Sequence, residues 1–214
     1  VTDTVVTSGV TPWAQMIPEA LALVPECPNP IIRDALHKAM REFFSTSRAW
    51  RGKQLTLLTT VAAQESYDAN PPANAEVAQV MSCYRGTEEI ECEVPGEEDD
   101  FHPTETGSDY RISVSDDGLY YELHPAPASA GEVLKGSVAY TLAENATGVP
   151  TWVYREHRYA IACGAAAHLV AQPSKPWTDR EAYKAHRDTF EAAIRDASNA
   201  AGPIRRRPLR VTPY

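Results

Sequence analysis

Apolar positions change period twice along the chain, from the helical repeat to alternation and back to the helical repeat. Trp13, Ile17, Leu21 and Val24 recur at helical spacing. Thr11 and Pro12 suit the start of that helix, because Thr caps free N–H groups and Pro is tolerated in the first turn. Pro18 either kinks the helix or marks its true start. The run Pro25-Glu26-Cys27-Pro28-Asn29-Pro30 breaks it. Asn29 as cap and Pro30 as first residue then open a second helix. Its apolar stripe is Ile32, Ala35, Leu36, Ala39, Met40, Phe43 and Phe44, and it should end between Ser45 and Arg48.

From Gln54 to Leu142 the period is two. Strands are expected over 54–61, 76–84, 90–94, 110–114, 119–123 and 137–142. Ile90, Cys92 and Val94 alternate with Glu89, Glu91 and Glu93, which predicts one buried and one acidic face. Asp116-Asp117-Gly118 is a turn signal and joins two of these strands as a hairpin.

Helical spacing returns near Pro150 with Val153, His157, Ile161, Ala165 and Leu169. Residues 160–167 are almost all small, with Gly164 at their centre. A helical glycine costs about 1 kcal/mol, so a closely approaching neighbour, the second helix opened at Asn29 or a neighbouring subunit, is expected there. Pro173 and Pro176 end this helix. Thr178-Asp179-Arg180-Glu181 matches a capping box and opens the last one. Its buried face is Tyr183, His186, Phe190, Ala193, Ile194 and Ala197, and Gly202 and Pro203 stop it.

Neither helix pair can bury its apolar face alone. The order implies an α+β fold in which the N- and C-terminal helix pairs form a four-helix bundle. An antiparallel sheet or sandwich is inserted as a second lobe. The expected segments are an arm over 1–10, helices over 11–50, and a β lobe over 51–148 with an acidic loop at 95–109. Helices over 149–202 follow, and then an extended basic arm over 203–214.

The chain has 214 residues and a net charge of −9, unevenly spread. Residues 1–86 carry −1, residues 87–145 carry −13 and residues 146–214 carry +5. Such asymmetry points to ends that face different partners. A solvated acidic loop beside ordinary basic helices is the plainer alternative. The acidic balance argues against duplex binding, which needs Lys and Arg to neutralise phosphates. No apolar run is long enough to span a bilayer, and the first thirty residues lack the basic start and apolar core of a secretory signal. Cys27, Cys83, Cys92 and Cys163 form no CxxC pair and are expected to be reduced, with Cys83 and Cys92 able to face each other on neighbouring strands.

Candidate chemistry is sparse. No Gly-rich phosphate loop, nucleophile elbow or HExxH motif is present. His102 beside Asp99 and Asp100 is the best metal candidate. Glu97, Glu98, Asp99 and Asp100 lack the spaced ligands and glycine of a helix–loop–helix calcium site, so a solvated loop is favoured. His157 and His168, three turns apart, could share a helix face but cannot chelate one ion, and packing roles suit them better. No catalytic centre, metal or cofactor is expected.

The order of several short motifs resembles the adaptor, or head-to-tail connector, proteins of short-tailed phages. Pro28-Asn29-Pro30 opens a helix carrying Ala35, Ala39 and Glu42-Phe43-Phe44, which leaves through Ser47-Arg48-Ala49-Trp50 into a β region. Pro150-Thr151-Trp152 opens another with Arg158-Tyr159-Ala160-Ile161 and Gly164-Ala165-Ala166-Ala167-His168-Leu169. Pro173-Ser174-Lys175-Pro176-Trp177, Ala182, Tyr183, Phe190, Ile194 and Ala197 complete the pattern. The resemblance spans most of the chain outside the acidic β region and the extreme ends.

The resemblance implies a structural virion protein, not an enzyme. Copies of the chain would form a ring of about twelve under the portal protein, by cyclic symmetry. That ring would meet tail tube or nozzle proteins and leave a channel for genomic DNA, which passes without sequence-specific binding. The protein would be made in the host bacterial cytoplasm, would reside at the head–tail interface of the virion and would meet no membrane. Arg205, Arg206, Arg207, Leu209, Arg210 and Tyr214 are the expected portal contacts. Glu88, Glu89, Glu91, Glu93, Glu97, Glu98, Asp99 and Asp100 are the expected channel- or tail-facing acids. Ala160, Gly164, Ala165, Ala167 and His168 are the expected helix-packing or ring interface. The alternatives are a tail-completion or head-closure ring, a tail-carried hydrolase, and a small metal- or ligand-binding domain.

Overall fold

The computed structural model describes residues 9–93 and 110–202. The elements run β1 (Val10–Pro12), α1 (Trp13–Leu23), α2 (Asn29–Ser47), β2 (Arg51–Thr59), β3 (Ser66–Asp68), β4 (Ala75–Arg85) and β5 (Glu88–Cys92). After residue 109 come β6 (Arg111–Val114), β7 (Tyr120–His124), β8 (Val133–Leu142), β9 (Gly148–Pro150), α3 (Thr151–Val170) and α4 (Arg180–Ala201). The four helices assemble from both ends of the chain, and the β lobe is inserted between α2 and α3. The acidic loop at 95–109 and the arm at 203–214 lie outside the described residues.

α3 is the central helix and packs on α1, α2 and α4. This explains its nearly unbroken burial from Ile161 to Ala167 and at Leu169 and Val170. A helix covered on three sides has no polar face there. The smallness of the segment lets α4 approach: a Cβ on Gly164 would stand 2.8 Å from the Phe190 ring. The close neighbour at Gly164 is therefore α4 of the same chain rather than the second helix. Of the face expected for α4, Phe190, Ile194 and Ala197 are buried, whereas Tyr183 is exposed.

Three helix starts differ from expectation. Thr11 does not cap α1, because it lies in β1 opposite Val149 of β9, and its hydroxyl donates to Thr151 Oγ1 at 3.1 Å. Asn29 is the first residue of α2, with Pro28 in the cap position and no side-chain cap. Thr178 does not cap α4, because its hydroxyl donates to Gln172 O and accepts from Lys175 N, closing the α3–α4 connection. Asp179 caps instead, accepting from the N–H groups of Glu181 and Ala182 at 2.9 and 3.0 Å. A carboxylate at that end also complements the helix dipole. Pro18 lies inside α1 rather than at its start.

The lobe is a seven-stranded sheet in the order β2-β8-β4-β5-β6-β7-β3. It is mixed rather than antiparallel throughout, because β5 and β6 run parallel with Glu91 opposite Arg111 and Cys92 opposite Ile112. Parallel neighbours need a connection of about a dozen residues or more, and residues 93–110 supply that length. The hairpin at Asp116-Asp117-Gly118 forms as expected between β6 and β7. Gly118 takes φ +68°, and the turn lies close against β4, where Val77 N donates to Gly118 O. β1, β9 and the three-residue β3 have no counterpart among the expected strands, being too short to show alternation.

One core runs through bundle and lobe. Phe44 on α2 lies 5.2 Å from Trp50 and 6.0 Å from Trp152, and Trp50 lies 5.8 Å from Tyr140 on β8. Polar contacts fix the same junction. Arg41 Nη1 donates to Leu142 O at 2.9 Å and meets Glu76 Oε2 at 3.1 Å. Trp13 Nε1 donates to Ala146 O at 2.9 Å.

Candidate functional site

The small-residue segment of α3 is the expected helix-packing or ring interface. Gly164, Ala165 and Ala167 are buried within the bundle, and Ala160 is half-buried. His168 sits at the edge of that packing, and its surroundings form the most connected charged cluster on the helices. Glu42 on α2 is approached from two sides. Arg187 Nη1 on α4 lies 2.7 Å from Glu42 Oε1, and His168 Nε2 on α3 lies 3.1 Å from Oε2. The histidine contact does not form a hydrogen bond. Arg187 Nε also donates to Glu191 Oε1 at 2.7 Å. The bond to Glu191, aided by Glu42, holds the Arg187 guanidinium above its ordinary range despite partial burial. One carboxylate thus ties three helices together.

The acidic strand is less free than its sequence suggests. Arg85 Nη2 meets Glu88 Oε2 at 2.6 Å, and Arg85 Nη1 meets Glu132 Oε2 at 3.3 Å. Glu91 faces Arg111 at 3.8 Å. Glu89 is exposed and Glu93 half-buried. Ile90 is buried as alternation required, and Cys92 is partly so. Cys83 is buried opposite Ile90, and its thiol is pushed up to about 12 by desolvation. Cys92 is raised as well, first by burial and then by the neighbouring Cys83. Glu97, Glu98, Asp99, Asp100 and His102 lie outside the described residues, as do Arg205, Arg206, Arg207, Leu209, Arg210 and Tyr214.

His157 lies at the meeting of bundle and lobe. Its ring is 5.0 Å from Phe43 and 6.1 Å from Trp152. Burial lowers its basicity, and Glu156 at 4.0 Å only partly offsets that. Its role is thus packing beside the aromatic cluster, and it lies on α3 in a different neighbourhood from His168.

No protein-family model matches this chain, and no curated protein matches it. Among the described residues, no group of three His, Cys, Asp or Glu side chains is placed to hold a metal ion. No described helix is long and apolar enough to cross a membrane.

Sequence reasoning passed over Glu42, Arg187 and Arg51 as functional positions. The i, i+4 spacing of Arg187 and Glu191 was a legible signal for their pair. The link from Arg187 to Glu42 joins residues far apart in sequence, and no local pattern encodes it.

Proposed function

We propose that the chain is the subunit of a head-to-tail adaptor ring that docks on a viral portal, receives tail components and surrounds the path of the genome. The observation that carries this reading is the architecture. Helix pairs from the two ends of the chain close one bundle, and a β lobe projects from between them, in the order that the resemblance implies. Such a subunit offers a rigid helical body for ring contacts and a separate lobe for a second partner. The exposed Glu89 and the acidic sequence of residues 97–100 would make that second surface electronegative, suited to a sliding DNA or a basic tail protein. The arginine-rich residues 205–210 supply the opposite charge for the portal side.

The test is the native mass of the purified chain with and without the portal ring of the same virus. The expected result is a single subunit alone and a stoichiometric ring on the portal. A folded chain that ignores the portal at micromolar concentration overturns the reading. Deleting residues 203–214 is expected to abolish docking while leaving the subunit folded.

A further inference from the structure

A hollow of 490 Å³ opens between bundle and lobe, lined among others by Ala49, Arg51, Lys53, Trp152, Asp196 and Ala200. A second, of 210 Å³, shares Ala49, Arg51 and Trp152 with it and is walled by Trp50 and Tyr140. The chain leaves α4 at their common rim. There Arg51 Nη1 donates to Ala201 O at 2.7 Å and Nη2 to Gly202 O at 3.2 Å, while Nε donates to Arg48 O at 2.8 Å. Gly202 takes φ +80°, a turn that ends the helix.

The lining has a definite chemistry. Ala49, Ala197 and Ala200 are small and apolar, and Trp152 adds an aromatic wall. Glu156 on α3 and Asp196 on α4 bring in two carboxylates. Among the described residues no cation lies within ion-pair distance of Asp196, and Glu156 has only the His157 ring at 4.0 Å. Burial lowers the basicity of that ring, so it is a poor counter-charge at neutral pH. Arg51 is engaged by three carbonyls, which leaves Lys53 as the opposing charge on the β2 side.

The next residues of the chain are Pro203-Ile204-Arg205-Arg206-Arg207-Pro208-Leu209-Arg210, with no acid through Tyr214. Tethering at the rim gives such a segment an effective concentration of about millimolar order for the adjoining hollow. We infer that this hollow is the docking site of the chain's own residues 203–214, with an aliphatic side chain on the alanine floor and an arginine against Glu156 and Asp196. Arginine suits both neighbours, since its guanidinium pairs with carboxylates and stacks on indole faces. The inference is independent of the adaptor reading; taken with it, portal docking would require release of the tail.

The test is tryptic removal of the tail from the native full chain, followed by intact mass. Trypsin cuts after Arg205, Arg206 and Arg210, whereas Pro208 blocks the bond after Arg207. Tail loss is compared in the unaltered chain, in the double variant Glu156→Gln and Asp196→Asn, and in Ala200→Phe, which fills the hollow. All three positions are exposed, so the body is expected to stay folded and to unfold in one cooperative transition. Where cleavage follows the open population, both variants are expected to lose the tail about tenfold faster or more. Equal rates in all three proteins overturn the inference. Protection that rises with protein concentration also overturns it, by assigning the hollow to the tail of a second copy.

Discussion

Gly164→Ala tests the packing of the bundle at its tightest point. In an open helix this substitution stabilises by about 1 kcal/mol. Here the new Cβ would stand 2.8 Å from Cδ2 and Cε2 of Phe190 and 2.9 Å from Cγ. Phe190 is fully buried and has Phe43 at 6.4 Å, so the contact is made by the body of a packed ring and not by a mobile chain end. Overpacking of this kind costs about 1–3 kcal/mol. Subtracting the helix gain leaves a net loss of about 1 kcal/mol. Urea unfolding reads it as a lower midpoint at unchanged slope. The same substitution in a Phe190→Ala background is expected to reverse sign and stabilise, because the ring and the Cγ that it strikes are gone. The coupling between the two sites is then about 1–2 kcal/mol. If Gly164→Ala stabilises the unaltered chain as it would an open helix, α4 does not approach α3 this closely and the argument fails.

Glu42→Ala removes the carboxylate shared by Arg187 and His168, and a loss of about 1–2 kcal/mol is expected in the same urea assay, because charge-assisted bonds outweigh neutral ones and the site is only partly exposed. An unchanged midpoint would show that solvent replaces the contact at no cost. His157 is neutral in the folded chain at neutral pH, with its basicity below the ordinary range because of burial. The unfolded chain therefore binds the extra proton first, and stability is full above about pH 6.5 and falls as pH drops below it. Unfolding midpoints between pH 7.5 and 5 are expected to fall less steeply in His157→Gln than in the unaltered chain, and parallel slopes would refute this. Cys83, with its thiol pushed up to about 12, and the similarly raised Cys92 are expected to resist iodoacetamide at pH 8 until the chain unfolds. Labelling of either at the rate of a free thiol would contradict their burial on neighbouring strands.

The features read from sequence divide by how local their signal was. Alternation placed Ile90 inside and Glu89 outside on β5, and the turn at Asp116-Asp117-Gly118 was readable from three residues. Helical spacing identified the stripe of α2, every member of which is buried. The caps misled because Thr11 and Thr178 are good cap residues whose hydroxyls were claimed elsewhere, by distant Thr151 and by Gln172 in the preceding connection. The parallel pairing of β5 with β6 was likewise invisible, since period-two alternation is the same in either direction.

Composition and periodicity alone determined that this chain has two helical ends around a β middle, and that its acidic charge concentrates there. Both follow from backbone geometry, because a period of 3.6 or two leaves its mark on neighbouring residues. The tertiary structure decided which helix is central, which carboxylate ties the helices, and that Arg51 holds the exit of α4 at the rim of a hollow. Those outcomes depend on pairs such as Glu42 with Arg187 and Arg51 with Ala201, separated by most of the chain. Only folding sets the distances between them, and so sets which of many charged residues become partners.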